Sequence, residues 1–299
     1  MQIYAGSYST NLAAKLAKLL NLPLGQSEIT QFPNKEARVW VKEPKIAKEV
    51  IVVQSFAIDP NRAIIEFCLL VDALKRSGAQ QVTVVIPWMG YCIQDKIFRQ
   101  GEPLSSKVVA DIIMTVDPVK VITVDLHNET IQGFFPRVSH LSATPLFIKH
   151  FKKHKKPSIV IAPDVGALKE TTEIAHSLDL PIAVLNKKRD RNTGKVEIVG
   201  VDGDIEGSHA LIMDDFISTG GTLIQTANYL KTNGVQTISV AVTHNLYVPG
   251  VMKKLANSDI DHLYVTDTIQ IPEEDKEYMK KKLDVQVISV AELIAQVIE

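Results

Sequence analysis

Short apolar runs alternate with helix-like stretches along all 299 residues of the chain. The apolar runs are rich in Val and Ile and nearly continuous, which is typical of strands that are covered on both faces. They lie at residues 51–54, 82–87, 120–126, 158–164, 210–215 and 237–244. Strands and helices in alternation predict an α/β fold in which mainly parallel sheets are flanked by helices.

A weak internal repeat favours two such domains. ALKRSGAQQVTVVIP in the first half resembles YLKTNGVQTISVAVT in the second, with Gly78 and Gly234 at equivalent places. Each glycine follows a helix and precedes a strand, where a left-handed residue is expected. Convergence is the alternative, because many α/β units end a helix with glycine. At about 150 residues per domain the length also favours two domains, which we predict at 1–145 and 146–299.

Charge and hydropathy exclude several classes of partner. Lys and Arg number 33 against 34 Asp and Glu, a formal net charge of −1, whereas nucleic-acid binding needs a basic surplus. No uncharged apolar run approaches the length of a membrane span. The start, MQIYAGSYST, lacks the basic and apolar segments of a secretory signal. We therefore expect a cytoplasmic protein with no nucleic-acid and no membrane partner.

The sharpest local signal is the segment LIMDDFISTGGTLIQTANYL. An apolar strand ends in Asp214 and Asp215, a loop rich in Ser, Thr and Gly follows, and a helix begins. Glycines let the backbone approach an anion, and the N–H groups at a helix N-terminus can hold a phosphate. The carboxylates would accept hydrogen bonds from sugar hydroxyls. The pattern predicts a sugar-phosphate site without a Walker loop, and an ordinary capped turn is the alternative.

The D-D-x-x-x-T-G-G-T pattern resembles the phosphoribosyl-diphosphate loop of type I phosphoribosyltransferase folds. The whole chain resembles the ribose-phosphate diphosphokinases, also called phosphoribosyl pyrophosphate synthetases, and its S-T-G-G-T form resembles their archaeal-type members. The segments that carry this resemblance are FPNKE (32–36), YCIQDK (91–96), GEPLSSK (101–107), VDLHNETIQGFF (124–135), APDVGA (162–167) and DDFISTGGT (214–222). It implies two tandem type I phosphoribosyltransferase-like domains, the first on the ATP side and the second on the ribose 5-phosphate side.

The resemblance also implies a reaction. The family transfers the diphosphoryl group of ATP to the 1-hydroxyl of ribose 5-phosphate, which gives phosphoribosyl pyrophosphate and AMP for nucleotide biosynthesis. The implied cofactor is Mg²⁺, and the implied assembly is a homo-oligomer with its ATP site at a subunit interface. His127 and Asp164 match the family's magnesium and ATP positions. Since His is an unusual magnesium ligand, proximity of His127 to the phosphates is the alternative to direct coordination.

Further residues match the family's substrate sites. Lys187 and Arg189 match two catalytic cations on a flexible loop, where they would offset negative charge on the transferring diphosphoryl group. His127 is the third residue that matches a catalytic position. The matching ATP-binding positions are Phe32, Asn34, Glu36, Gln94, Asp95 and His127. Of these, Phe32, Asn34 and Glu36 match the loop that holds adenine and its ribose in the neighbouring subunit. The matching ribose 5-phosphate positions are Asp214, Asp215, Ser218, Thr219, Gly220, Gly221 and Thr222.

The chain departs from the family pattern at Ile93, at Ser218, where many members have Asp, and at Gly101. Ile93 replaces an arginine that contacts ATP in most members, and this loss would weaken ATP binding by roughly 1–3 kcal/mol. Lys96 or Arg99 could supply the missing charge. Gly101 stands where phosphate-activated members tend to have an arginine, and such members run on beyond AELIAQVIE. We therefore expect little activation by phosphate.

Two alternatives stay open at this point. A phosphoribosyltransferase that consumes phosphoribosyl pyrophosphate would fit the ribose loop, but the two-domain length and FPNKE do not favour it. A synthetase-associated regulatory subunit with weak catalysis is favoured by Ile93. The retained residues His127, Asp164, Lys187 and Arg189 argue against that subunit.

Overall fold

The computed structural model describes residues 1–154, 157–189, 196–278 and 283–298, and the side chains of Arg189 and Val196 lie outside this description. The chain forms two compact units. The first comprises Met1–Ala143, Asp267–Gln270 and the C-terminal stretch from Ser289, and the second comprises Thr144–Thr266 and Ile271–Ile288. The two domains predicted at 1–145 and 146–299 differ from these units, because Asp267–Gln270 and the stretch from Ser289 belong to the first unit.

Seven strands lie in the first unit: β1 (Gln2–Ala5), β2 (Ser27–Gln31), β3 (Ala37–Val41), β4 (Glu49–Val53), β5 (Gln81–Ile86), β6 (Lys120–Val124) and β7 (Val138–Leu141). Five of them form a sheet in the order β1-β4-β5-β6-β7, and every neighbouring pair is parallel. Val52 and Val53 of β4 and Val84 and Val85 of β5 are fully buried, as expected for a sheet that is covered on both faces. The strands β2 and β3 form a separate antiparallel hairpin.

The helices of the first unit are α1 (Thr10–Leu19), α2 (Pro60–Arg76), α3 (Ser105–Thr115), the 3₁₀ helix Glu129–Phe134 and the C-terminal helix Ala291–Ile298. The sequence marks the start of α2, because the Asp59 side chain accepts a hydrogen bond from the Arg62 N–H and Pro60 occupies the first turn. The C-terminal helix packs against α1, and Lys120 Nζ donates to the Val297 carbonyl. These contacts place the end of the chain in the first unit.

The strands of the second unit are β8 (Ile159–Ala162), β9 (Ile182–Arg189), β10 (Val196–Asp202), β11 (His209–Ile217), β12 (Thr237–Asn245), β13 (His262–Thr266) and β14 (Asp284–Ile288). They form one sheet in the order β10-β9-β8-β11-β12-β13-β14. Only β9 and β10 are antiparallel among these described strands. The helices are α4 (Thr144–Lys153), α5 (Leu168–Leu178), α6 (Gly221–Thr232) and α7 (Val251–Ala256), with a 3₁₀ helix at Glu273–Asp275.

The repeat predicted from Gly78 and Gly234 has a structural counterpart. Gly78 lies between α2 and β5 with φ +111°, and Gly234 lies between α6 and β12 with φ +91°. Both residues thus adopt the positive φ that was expected at equivalent places of the two units.

Over the described parts of the chain, no helix combines the length and the apolar character that crossing a bilayer requires.

Strand order determines where functional side chains can meet. In the second unit β8 lies between β9 and β11, and in the first unit β5 lies beside β6. Segments that leave neighbouring parallel strands at their carboxyl ends reach the same edge of the sheet, which is where α/β folds bind ligands. Most of the predicted site residues lie in or just beyond the carboxyl ends of these strands.

Candidate active site

The two carboxylates of the ribose loop lie near the carboxyl end of β11. The strand continues to Ile217, two residues beyond Asp215, so the predicted strand at 210–215 is too short. The Asp215 N–H donates to Asp214 Oδ1 at 2.9 Å, and the Phe216 N–H donates to Asp215 Oδ1 at 2.9 Å. Backbone donors therefore fix the direction of both carboxylates, immediately before the loop that begins at Ser218.

Gly220 and Gly221 make the turn from this loop into α6. Gly220 has φ +73°, a left-handed conformation, and a Cβ there would lie 3.4 Å from side-chain atoms of both Leu255 and Val251. A Cβ on Gly221 would meet only Thr219 Oγ1, at 3.8 Å, so this residue borders open space. Since Gly220 has no side chain to cap α6, the first-turn N–H groups lack that kind of partner. The turn can thus receive an anion.

The pKa of Asp214 is raised to about 7, first because surrounding protein atoms desolvate the carboxylate. The hydrogen bond and the charge of Asp215 raise it further, and Glu170 adds a smaller repulsion. Asp214 remains exposed, so water screens part of this effect. The carboxylate is therefore easier to protonate in the free protein than an ordinary aspartate.

Asp164 and Lys187 come together at the ends of neighbouring strands. Asp164 lies two residues beyond β8, and its Oδ1 accepts a hydrogen bond from the Ala167 N–H at 3.1 Å. The Lys187 Nζ lies 4.0 Å from Asp164 Oδ2. The Lys187 side chain is only 14% exposed, whereas that of Asp164 is 51% exposed.

The segment that carries Lys187 was expected to be a flexible loop, and the structure differs there. Strand β9 continues through Lys187 to Arg189 and pairs with β10, with Lys187 opposite Ile198. An antiparallel partner supplies the backbone hydrogen bonds that allow this polar stretch to extend the strand. The side chain of Arg189, the second predicted cation, lies outside the described residues, as do residues 190–195.

In the first unit two of the predicted ATP-side segments, Gln94–Asp95 and the segment of His127, lie side by side. Asn128, which follows His127 directly, donates from Nδ2 to Asp95 Oδ2 at 2.5 Å. Gln94 is held from the other side, because its carbonyl accepts from the Ser106 N–H at 3.2 Å and its side chain accepts from the Ser105 hydroxyl. The Gln94–Asp95 segment therefore lies beside the segment of His127, although the two follow different strands.

The backbone before His127 has its own supports. Asp125 has a positive φ of 35°, and its Oδ2 accepts from the Ala143 N–H at 3.1 Å. The Leu126 N–H donates to His140 Nε2 at 2.9 Å. On the other side of the ring, His140 Nδ1 lies 3.2 Å from Gln132 Nε2.

The predicted adenine loop is the turn of the β2–β3 hairpin. The Phe32 N–H donates to the Glu36 carbonyl at 2.9 Å, and the Glu36 N–H donates to Asn34 Oδ1 at 3.2 Å. The Arg38 guanidinium lies 5.8 Å from the centre of the Phe32 ring, which is 46% exposed. These described contacts stay within the hairpin, so an aromatic face is available to a ligand.

Ile93 is 40% exposed at the position where the family pattern has an arginine. Of the two candidate replacements, Lys96 places Nζ 5.6 Å from the centre of the Phe98 ring, a cation–π contact. The backbone N–H of Arg99 donates to Glu102 Oε2 at 3.1 Å. The ammonium of Lys96 thus faces the Phe98 ring, and the contact of Arg99 does not involve its guanidinium.

Three residues that contribute to these arrangements were not predicted. Ser105 binds the Gln94 side chain, Asn128 binds Asp95, and Glu170 raises the pKa of Asp214. Asn128 does have a local signal, since Asn ahead of a helical turn is a good N-cap, and it caps the 3₁₀ helix that follows. Its contact with Asp95 spans 33 residues, which no local pattern indicates.

Comparisons of sequence and fold with known proteins show which family the chain resembles. A family model described as the N-terminal domain of ribose phosphate pyrophosphokinase matches residues 1–116, and a phosphoribosyl transferase domain model matches residues 140–274. The ribose-phosphate pyrophosphokinase of Corynebacterium ammoniagenes is 35% identical, over 100% of this chain and 93% of that protein. That of Aquifex aeolicus is 36% identical, over 100% of this chain and 94% of that protein.

A solved structure is similar over almost the same length. The crystal structure of phosphoribosylpyrophosphate synthetase from Mycobacterium smegmatis matches with a TM-score of 0.87 and 31% identity, covering 99% of this chain and 97% of that one. The predicted fold of two tandem phosphoribosyltransferase-like domains is thereby confirmed. The chain belongs to the ribose-phosphate pyrophosphokinase family.

Proposed function

We propose that this protein transfers the diphosphoryl group of ATP to the 1-hydroxyl of ribose 5-phosphate and releases AMP. The observation that carries the proposal is the turn after β11. Two carboxylates held by backbone N–H groups precede a helix N-terminus that has open space at Gly221. A sugar phosphate needs both features, acceptors for its hydroxyls and donors for its phosphate.

Ribose 5-phosphate would bind along this turn. Asp214 and Asp215 would accept hydrogen bonds from the ribose hydroxyls. The phosphate would lie on the N–H groups of the loop and first helical turn, at Ser218, Thr219, Gly220, Gly221 and Thr222. Since an ionised carboxylate is the better acceptor, sugar binding favours the charged form of Asp214 and lowers its raised pKa.

In the reaction, the oxygen of the ribose 1-hydroxyl attacks the β-phosphorus of ATP and its proton passes to water. The bond from that phosphorus to the oxygen bridging it to the α-phosphorus breaks, and AMP leaves with that oxygen. Charge on the transferring group must be offset, which is the role of Lys187 and Arg189. In the free protein Lys187 is paired loosely with Asp164 at 4.0 Å. A diphosphate carries more negative charge than one carboxylate, so Lys187 would turn to the substrate when it binds.

Magnesium fits the residues present only as an ion that arrives with the nucleotide. In residues 1–154, 157–189, 196–278 and 283–298 no group of three or more His, Cys, Asp or Glu could hold a metal. Mg²⁺ uses few protein ligands and binds phosphates and waters instead. Asp164 would hold it through a carboxylate that is half exposed, and His127 would lie near the phosphates. Bound Mg²⁺ supplies neutralisation of phosphate charge.

The nucleotide would lie with the first-unit residues Gln94, Asp95 and His127. Phe32 would stack on adenine, with Asn34 and Glu36 as hydrogen-bonding partners. The exposed hairpin supports the further proposal that this aromatic ring serves a neighbouring subunit, in a homo-oligomer whose ATP site lies at the interface. Because ATP and sugar phosphates are metabolites of the cytoplasm, we place the reaction there.

The second candidate is a catalytically weak regulatory subunit, which is favoured by the exposed Ile93 in place of an arginine. Product analysis separates the two. Purified protein with ATP, Mg²⁺ and ribose 5-phosphate should form AMP and phosphoribosyl pyrophosphate in equal amounts. ADP would indicate a simple kinase, and no turnover by a protein that binds ribose 5-phosphate would favour the regulatory subunit.

A further inference from the structure

We propose that Asn128 is a positioning residue that orients Asp95 for ATP. This inference rests on the proposed function, in which Asp95 contacts the nucleotide. Its basis is the 2.5 Å hydrogen bond from Asn128 Nδ2 to Asp95 Oδ2, which joins a segment after β5 to a segment after β6. Asn128 does not itself touch ATP in this proposal.

The orientation of the Asn128 amide is fixed by its other partners. Its Oδ1 accepts from the Thr130 N–H at 3.0 Å and from Thr130 Oγ1 at 2.8 Å. An amide has one oxygen and one nitrogen, so two donors on the oxygen side leave the NH₂ group for the carboxylate. Asn128 thus presents a donor, and only a donor, to Asp95.

The segment of Asp95 is held on its other side by α3. Ser105 and Ser106, at the start of α3, bind the side chain and the carbonyl of Gln94. Without Asn128 this segment would keep its anchor at Gln94, but Asp95 would lose its fixed direction. The expected consequence is a local effect on nucleotide binding without a loss of fold.

A neutral donor suits this position better than a cation. Asn128 hydrogen-bonds the carboxylate without adding a positive charge beside it, so the oxygens of Asp95 can accept further bonds from a ligand. Because Asn128 directly follows His127 in the chain, the same bond holds Asp95 beside the segment of His127. Asn128 therefore couples two ATP-side motifs that the sequence separates.

Three variants separate the two roles of Asn128, as the hydrogen-bond donor to Asp95 and as the N-cap of the 3₁₀ helix. N128A removes both roles. N128S keeps an N-cap acceptor for the 3₁₀ helix but is too short to reach Asp95. N128D keeps the shape and the cap acceptor and places a second carboxylate against Asp95. The measurements are kcat, the KM of each substrate, the Kd of Mg-ATP by calorimetry without ribose 5-phosphate, and thermal unfolding, all at pH 8.

N128A and N128S should raise the KM and the Kd of ATP about fivefold to tenfold, and leave the KM of ribose 5-phosphate within about twofold. N128D should be the weakest ATP binder of the three variants, because two carboxylates repel each other.

The positioning role would be overturned by wild-type ATP affinity in N128A and N128S, or by an N128D variant that binds ATP more tightly than N128S does. It would also be overturned if both KM values rose equally with a lower unfolding temperature. Should N128A fail to fold, N128S with its retained cap decides. An active wild type with unaffected variants sinks this inference alone. An inactive wild type whose ATP binding weakens in N128A sinks the proposed reaction alone.

Discussion

Lys187 Nζ and Asp164 Oδ2 lie 4.0 Å apart, across the carboxyl ends of the neighbouring parallel strands β9 and β8. The lysine is largely covered and the carboxylate is half exposed. In the proposed mechanism this pair keeps a cation at the place where diphosphoryl transfer needs one. Alternation along a strand puts Lys188 on the opposite face from Lys187, which provides a matched control.

K187A should lower kcat by about 10²–10³-fold, because it removes charge stabilisation that is strongest in the transition state. The thermal unfolding midpoint should stay near that of the wild type, since the pair with Asp164 is long and partly exposed. Steady-state kinetics and calorimetric unfolding check both expectations. K188A, which removes the same charge from the exposed neighbour, should keep kcat within about twofold; an equal loss in K188A would contradict the role of Lys187.

Gly220 and Gly221 should respond differently to alanine. G220A introduces a Cβ at positive φ and 3.4 Å from two side chains, so it should destabilise the protein by about 1–2 kcal/mol. G221A adds a Cβ in open space at the start of a helix and should keep or slightly raise stability. Urea unfolding measures both effects.

G221A should nevertheless weaken ribose 5-phosphate binding, because the methyl group would occupy the space proposed for the phosphate. Calorimetric titration with ribose 5-phosphate tests this expectation. Wild-type affinity in G221A would place the phosphate elsewhere.

The raised pKa of Asp214 predicts a sign for the pH dependence. The folded protein holds this proton more tightly than the unfolded chain does, so ionisation of Asp214 reduces stability as pH rises from about 4 to about 7. D214N removes this effect. Its unfolding midpoint relative to the wild type should therefore be higher at pH 8 than at pH 5. A difference that is the same at both pH values would show that Asp214 titrates normally.

I93R should lower the KM of ATP about fivefold to tenfold by restoring a charge-assisted contact with the phosphates. The exposed side chain at position 93 leaves room for the longer residue, so stability should not change. If Lys96 or Arg99 already supplies the charge, K96A or R99A should raise the KM of ATP. Unchanged KM values in both alanine variants would exclude that compensation.

Much of the fold could be predicted because buried parallel strands have a strong sequence pattern. The run at 237–244 corresponds to β12, Thr237–Asn245, in which almost every residue is buried. The β2–β3 hairpin was not predicted, since β2 is mostly polar and neither strand contains a fully buried residue. The same reason applies to the end of β9, where Asn, Lys and Arg continue a strand that β10 stabilises by pairing.

The candidate site shows the same division. The turn from Asp214 to Gly221 is continuous in sequence, so its chemistry could be predicted from residue types alone. The contact of Asn128 with Asp95 depends on β5 and β6 lying side by side. The contact of Lys187 with Asp164 depends on β8 and β9 in the same way. Such contacts follow from the order of strands in the sheet, which local patterns of residue types along the sequence do not reveal.

The most direct test of the proposed reaction follows the β-phosphorus. Protein supplied with Mg²⁺, ribose 5-phosphate and ATP labelled at the β-phosphate should move the label into phosphoribosyl pyrophosphate and leave AMP unlabelled. K188A should do the same, and K187A should not do so at a comparable rate. Label that stays in ADP, or that appears only in inorganic phosphate or pyrophosphate without a sugar product, would contradict diphosphoryl transfer to ribose 5-phosphate.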